Sequence, residues 1–277
     1  MKKMKSLIAV LLVGLLLISL AACGGKDNVV KMGKLEASGM EDMYSDEHNA
    51  HMKNQNGFSA DLTAEFVNYN NLSAALMDLE AGKIAVIGLE ECTANYIAAH
   101  NEKIAVAKQN VVMTNFSLMT MDSNKEVYDI LNNAIVELKA DGTLDELIEK
   151  ELKAYINTDP EAKELPHFDG AKTIKVAVTG DLPPMDFVTA YGKAAGFNIA
   201  LLTEIANRAQ VNFELVQIET GARPVALSTG KVDAVFWTKI GRCTVCNATV
   251  TEGIQGTLVT ESYFSSSAGH VMIESGK

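Results

Sequence analysis

Four segments decide the fold: TIKVAVTGDLPPMDFV (Thr173–Val188), AGFNIALLTEIANRA (Ala195–Ala209), VNFELVQI (Val211–Ile218) and ARPVALSTGKVDAVFWT (Ala222–Thr238). They read as a buried strand, a Pro-rich loop, an amphipathic helix, a strand, a short helix and another strand. Apolar alternation with period 2 switching to period 3.6 and back argues for a parallel α/β sheet. Ligands of such open sheets sit at the carboxyl ends of the strands. The stretch is half of a layered unit, so the rest of the chain must supply a partner.

Working outward, the chain has 277 residues, 48% of them hydrophobic and 21% charged, with a net charge of −11. That length fits one or two domains of ordinary globular composition. The acidic balance argues against a nucleic-acid partner, which needs a basic face, and says little about a small ligand. The first 22 residues form a leader: Lys2, Lys3 and Lys5 precede the uncharged apolar run Leu7–Leu20, and Leu20-Ala21-Ala22-Cys23 follows. A basic start, an apolar core and small residues before a cleavage point describe a secretory signal. The ending resembles a bacterial lipobox, which implies a lipid on Cys23, a tether over 23–28 and a place on the extracytoplasmic face of the cell membrane. The rival readings of the same residues are an uncleaved signal anchor and an ordinary cleaved signal.

Upstream of Thr173 the elements alternate again. Val29–Glu36 reads as a strand and Glu41–Lys53 as helical, with His48 and His51 at i, i+3; these two lack a third ligand and fit a solvated face better than a metal site. Phe58–Asn71 reads as a strand and then loop, Leu72–Glu80 as a helix, Ile84–Leu89 as a buried strand, Thr93–His100 as a helix and Ile104–Val106 as the core of a short strand. Ser123 with Glu126, and Thr143 with Glu146, form capping-box pairs. They open a helix with the stripe Val127, Ile130, Leu131, Ala134, Ile135 and Leu138, and a second helix over Leu144–Tyr155. Gly142 stands at the C′ position of the first. Downstream, Gly256–Thr260 and His270–Ile273 read as strands, with Glu261–Ser267 as loop. One echo links the halves: LEAGKI at Leu79–Ile84 and LSTGKV at Leu227–Val232.

Lys172–Thr238 resembles the first lobe of the bacterial extracellular solute-binding proteins of ABC importers (family 3, polar amino-acid type). The resemblance lies in Gly180-Asp181 with Pro183-Pro184 and Asp186-Phe187, in AGFN at Ala195–Asn198, in LLTEIANRA and in STGKVDAVFWT. VTESYF at Val259–Phe264 is similar to the family's motif ahead of the inter-lobe crossing, with Ser262 in place of a proline. AGKIAVIGLEECTANYIA (Ala81–Ala98) and NAIVELKADGTLDELIEKELK (Asn133–Lys153) resemble the family's second lobe and closing helices. The lobes therefore stand in inverted order. The resemblance implies an α/β, two-lobe periplasmic-binding-protein type II fold, each lobe a mainly parallel sheet flanked by helices, circularly permuted. It divides the chain into 29–114 as a second-lobe-like unit, 115–157 as closing helices, 158–171 as linker, 172–266 as a first-lobe-like unit and 267–277 as a strand crossing back. The new ends fall near Val29 and Ile273, expected close together at the inter-lobe crossing.

The resemblance also implies a function: binding of a small polar solute, an amino acid, delivered to an ABC permease, with no cofactor and no catalysis. In the family an arginine grips the ligand carboxylate and an acid of the second lobe takes the ammonium group. Arg242 corresponds to that arginine, although the Thr-Pro-Glu-Arg run is absent here, and Arg223 ahead of Pro224 competes with it or caps the cleft. Glu90 corresponds to the acid, with Glu91 as the fallback. Trp237 and Thr238 end a strand at the mouth; Asp181, Met185 and Phe187 line the first loop; Ser38 and Gly39 match a hydrogen-bonding turn of the second lobe. Cys243 and Cys246 form a C-x-x-C that fits a loop-tightening disulfide better than half a zinc site or a redox pair. Two other classes stay open: a ligand sensor or degenerate surface binding protein, and a dehydratase-like enzyme on the same fold.

Overall fold

A computed structural model describes residues 29–35, 63–158, 161–240 and 253–274. Cys23, Ser38, Gly39, His48, His51, Arg242, Cys243 and Cys246, each given an expected role above, lie outside the described residues. Among the described residues a nine-stranded sheet runs in the order β2-β1-β3-β12-β4-β10-β5-β9, with β11 also on β4. Its strands are β1 (Val29–Leu35), β2 (Thr63–Tyr69), β3 (Val86–Glu90), β4 (Ile104–Met121), β5 (Thr173–Val178), β9 (Asn212–Gln217), β10 (Ala234–Ile240), β11 (Thr257–Val259) and β12 (Phe264–Ile273). The short β6 (Asp181–Leu182), β7 (Asp186–Val188) and β8 (Ala194–Ala195) form a second sheet. Pairs β1–β2, β1–β3, β5–β9 and β5–β10 are parallel, as the alternating pattern requires. The α/β class and the two-lobe arrangement follow from how these strands divide.

The division is made by β4 and β12, which belong to both lobes. The first residues of β4, Ile104–Gln109, pair with Ala268–Ile273 beside β3. Its last residues, Thr114–Thr120, pair with β10, and Met119–Met121 with β11. The register breaks between Ser267 and Ala268, where the chain passes from one lobe to the other. The short strand expected at Ile104–Val106 is therefore the start of an 18-residue one. The polar run Lys108-Gln109-Asn110 looks like a break in a lone sequence, yet Lys108 and Gln109 still pair with Gly269 and Ala268, and pairing with β12 resumes at Met113 opposite Ser267. Likewise β12 begins at Phe264, inside the expected loop.

Each lobe has its own core. In β10, Ala234 and Phe236 face one cluster and Val235 and Trp237 the other, the period-2 alternation of a strand covered on both sides. The first cluster packs helix α3 (Lys125–Ala140) through Leu131, Ile135 and Leu138 against α5 (Phe197–Ala209) through Phe197, Leu201 and Ile205. The second lobe packs α1 (Leu72–Glu80) and α2 (Glu91–His100) on β3 through Leu72, Leu79, Ile87, Leu89 and Ile97. The echoed segments turn alike, at Gly82 (φ +69°) and Gly230 (φ +70°).

The capping boxes do not form. A 3-10 turn, Asp122–Asn124, leads into α3 without a side-chain cap, and the backbone N–H of Thr143 at the start of α4 (Thr143–Ile148) donates to Asp141 (3.0 Å). That bond, then the Thr143 hydroxyl and Arg208, hold the Asp141 carboxyl at about 2. Beyond Ile148 the expected single helix gives way to a π turn, Glu149–Lys153, and a 3-10 turn, Ala154–Asn157. The wider turn coincides with the burial of Glu151 beside Lys163 of the 158–171 segment, Nζ to Oε1 3.0 Å. The described ends of β1 and β12 flank β3 at the edge away from the Ser267 break, not at the crossing as expected: Val271 pairs with Ile87 from one side and Met32 with Val86 from the other.

Buried His270 on β12 has its imidazole pulled down to about 4 by desolvation. An imidazole neutral in the fold and free to protonate when unfolded carries no penalty above its ordinary pKa of about 6.5 and a growing one below it. Stability should fall by about 3 kcal/mol between roughly pH 6.5 and pH 4, and His270→Gln should flatten that part of the urea-midpoint profile relative to wild type.

Candidate functional site

The carboxyl ends of β1 and β3 face the first lobe across a cavity of about 60 Å³. Lys34, Leu35, Gly88, Leu89 and Glu90 line it from one side. Leu182, Met185, Asp186, Asn198, Thr220, Arg223, Phe236 and Trp237 line it from the other, and Phe116 of β4 closes it. This is the place that parallel sheets reserve for ligands.

Arg223 is the most unusual group in the site. It opens α6 (Arg223–Ser228), where Pro224 fits because a first-turn residue needs no intrahelical N–H. The side chain is 7% exposed, and its Nη1 donates to the Phe236 carbonyl at 3.2 Å. Nε and Nη2 have no acceptor. Those two N–H groups make up the side-on fork of a guanidinium, the geometry that takes a carboxylate by two parallel bonds. Burial works against its positive charge, and the nearby Asp186, Tyr263 and Asp181 work in its favour. A buried charge left unpaired is costly, and such groups concentrate at binding sites.

Asp186 organises the floor. Its Oδ1 accepts from Thr179 N (2.7 Å), Thr179 Oγ1 (2.6 Å) and Gly180 N (3.0 Å), and its Oδ2 from Asn198 Nδ2 (2.8 Å). Asn198 in turn accepts from the buried Tyr263 hydroxyl at 3.4 Å. Gly196 lets the loop close tightly: at φ +105°, an added Cβ would lie 2.5 Å from the Met185 carbonyl oxygen. Trp237, also 7% exposed, packs on Ala226 and Leu227 and has an indole N–H without an acceptor.

Glu90 faces Arg223's wall from the second lobe. It keeps some accessible surface, but surrounding protein desolvates the carboxylate and raises its pKa. Glu91, one residue on, is turned away: it accepts from the Ser267 hydroxyl at the register break. Asp181 and Phe187 do not line the cavity. They are register partners on the β6–β7 hairpin and meet the second lobe at the rim. There Asp181 accepts from Ser73 N (3.3 Å) and Ser73 Oγ (3.4 Å), and Phe187 lies 6.3 Å from the Tyr96 ring. The opposite face of the same hairpin, Leu182 with Asp186, lines the cavity instead. Thr238 is paired through its backbone with Phe116. Met185 reaches Cys92 of the other lobe, sulfur to sulfur 4.0 Å.

Residues 174–240 match the profile of bacterial extracellular solute-binding proteins, family 3. The matched segment holds Asp186, Asn198, Arg223 and Trp237. No curated protein matches the chain. Among solved structures, the ligand-binding component of an ABC-type import system from Staphylococcus aureus, with zinc bound, is 12% identical over 87% of this chain with a TM-score of 0.45; the chain spans 65% of that protein's length. The GluR0 ligand-binding core in complex with L-glutamate is 14% identical, covering 91% of this chain and 87% of its own, with a TM-score of 0.39. CbnR, a LysR-family transcriptional regulator, is 9% identical over 97% of this chain and 71% of its own, at 0.44. At such identities and scores these likenesses say nothing about ligand or activity.

Sequence reasoning missed Lys34, Phe116, Leu182, Asp186, Asn198, Thr220 and Phe236 as lining residues, although the Asp186-Phe187 and AGFN motifs marked the segments that carry Asp186 and Asn198. Among the described residues no cluster of three or more His, Cys, Asp or Glu side chains is placed to hold a metal, and no helix is long and apolar enough to cross a membrane.

Proposed function

We propose that this protein captures a small zwitterionic solute, an amino acid, between its two lobes and delivers it to an ABC importer. One observation carries the reading: the buried side-on fork of Arg223, unpaired, lines the same cavity as Glu90 of the other lobe. A ligand carboxylate would satisfy the fork, and its ammonium group would restore a counter-charge to Glu90. Both groups lose more solvation than they regain until the ligand arrives, which favours binding over empty closure. The lobes touch at the rim, where Ser73 donates to Asp181, so entry needs them to part, a hinge motion that β4 and β12 are placed to carry at the Ser267 break.

The remaining elements of the reading are a lipid on Cys23, anchorage at the extracytoplasmic face, and a chain whose lobes stand in circularly permuted order. Support for the permutation comes from the family match lying at 174–240, after the other lobe, and from strand order rather than from the chain ends. A degenerate binding protein or sensor is the second reading; the smallness of the cavity favours it.

The protein's single tryptophan, Trp237, lines the cavity, so its emission reports occupancy. Titration with a panel of amino acids should give a saturable change for at least one. Glu90→Gln should weaken that ligand by about tenfold or more, the loss of one charge-assisted bond. An emission that no member of the panel alters would favour the degenerate reading.

A further inference from the structure

The two helices of the second lobe are capped differently at their N-termini. At α2 the Cys92 N–H donates to Ser266 Oγ at 3.4 Å, on β12 beside the register break. At α1 the cap is split between the lobes. Asn71 holds the N-cap position, and its Oδ1 accepts from Ala74 N at 2.9 Å. The Ser73 N–H is one of the first-turn donors that a helix cannot satisfy internally. It goes to Asp181 of the first lobe at 3.3 Å, and the Ser73 hydroxyl goes to the same oxygen at 3.4 Å. The Asn71 amide then donates from Nδ2 to Oε1 of Glu219, also of the first lobe, at 3.4 Å. Two first-lobe carboxylates thus meet the positive end of one second-lobe helix, the sign of charge that the helix dipole favours there.

Both carboxylates stand on segments that carry the cavity. Asp181 opens the β6–β7 hairpin that bears Leu182 and Asp186, and Glu219 leads through the turn Thr220–Ala222 into Arg223. Desolvation raises the Asp181 pKa, the backbone bonds from Ser73 and Leu72 offset part of that, and the side chain keeps some surface in water. Single contacts of this half-exposed kind are weak, which lets the lobes reopen. We propose that Asp181 and Glu219 form a latch: they complete the α1 cap only while the lobes are together, and so hold the empty protein closed. This rests on the hinge motion proposed above and not on the identity of the solute.

Two measurements on the ligand-free, full-length protein test it. Hydrogen exchange reads the cap. The Ser73 amide should be protected in wild type and lose that protection in Asp181→Ala, while the Cys92 amide, capped by Ser266, keeps its rate. Acrylamide quenching of the single tryptophan reads the latch, because Trp237 lines the cavity and is 7% exposed. In Asp181→Ala combined with Glu219→Gln the open population should grow about three- to fivefold, and quenching should rise with it. Asp181→Asn keeps one accepting oxygen and should fall between. A Ser73 amide that exchanges freely in wild type overturns the proposal, as does quenching unchanged in a folded double variant. Should the double variant fail to fold, Asp181→Asn decides by the same two readings. Neither reading needs a ligand, so failure here leaves the solute reading to be judged by titration.

Discussion

Arg223→Met should weaken ligand binding about 100-fold or more and leave the empty protein at least as stable as wild type. The two effects have one cause. The side-on fork of Arg223 lacks acceptors, so the fold bears a desolvated charge that Nη1 partly compensates through Phe236 and that Asp186, Tyr263 and Asp181 favour only through space. Methionine is close in length, fills the same space and removes that burden, and replacing buried charge by apolar volume is often neutral or stabilising. Binding loses two charge-assisted hydrogen bonds, about 3 kcal/mol or more, which is a factor of about 100 or more in Kd. A purely structural arginine would give the opposite pattern, with a lower melting temperature and unchanged affinity. Thermal melts with and without saturating ligand separate the two, because the ligand-induced rise in Tm should vanish while the ligand-free Tm holds.

Asp186→Ala should be the most destabilising single change in the site. Its carboxylate, 1% exposed, accepts four hydrogen bonds from Thr179, Gly180 and Asn198. Truncation leaves those donors buried without partners and takes away a negative charge that favours Arg223. The expected cost is about 3–5 kcal/mol, or a fall in Tm of roughly 10 °C for a protein of this size. Asp186→Asn keeps the shape but turns an amide N–H₂ towards either Asn198 or the Thr179–Gly180 donors, so it should fall between wild type and alanine. In an Arg223→Met background the Asp186→Ala cost should shrink, since part of it is the arginine's lost counter-charge; a double-mutant cycle measures that coupling directly. Additive effects would show that Asp186 acts only on the loop.

Much of this architecture is legible in the chain because it depends on local period. Alternation in AVFWT assigns Phe236 and Trp237 to opposite faces of β10 without reference to anything distant. The stripe from Val127 to Leu138 places α3 for the same reason. The site is less legible because it is built from register and from partners remote in sequence. Asp181 and Phe187 are sound candidates by position in the loop, yet they are cross-strand partners, and the pair one step further in, Leu182 with Asp186, is the one that faces the cavity. A single-residue step reverses the face of a strand. Glu90 and Glu91 stand side by side where β3 ends and α2 begins, and only the position of Ser267, far along the chain, distinguishes the cavity acid from the hinge acid. Arg223 is anchored by a carbonyl thirteen residues away, on the neighbouring strand. Nothing in ARPVALS foretells that its fork would be left open. The long β4 was hidden for a related reason: polar residues at the crossing break the apolar pattern while β4 runs on, pairing with β12 on both sides of the register break.

The central claim is that the cavity between Arg223 and Glu90 binds one small zwitterion. Isothermal titration of the purified full-length protein with the common amino acids tests it most directly. The account predicts a single saturable site, one ligand per chain, for at least one of these compounds. A folded protein that takes up none of them, or one whose binding is unaltered by Arg223→Met, would contradict it.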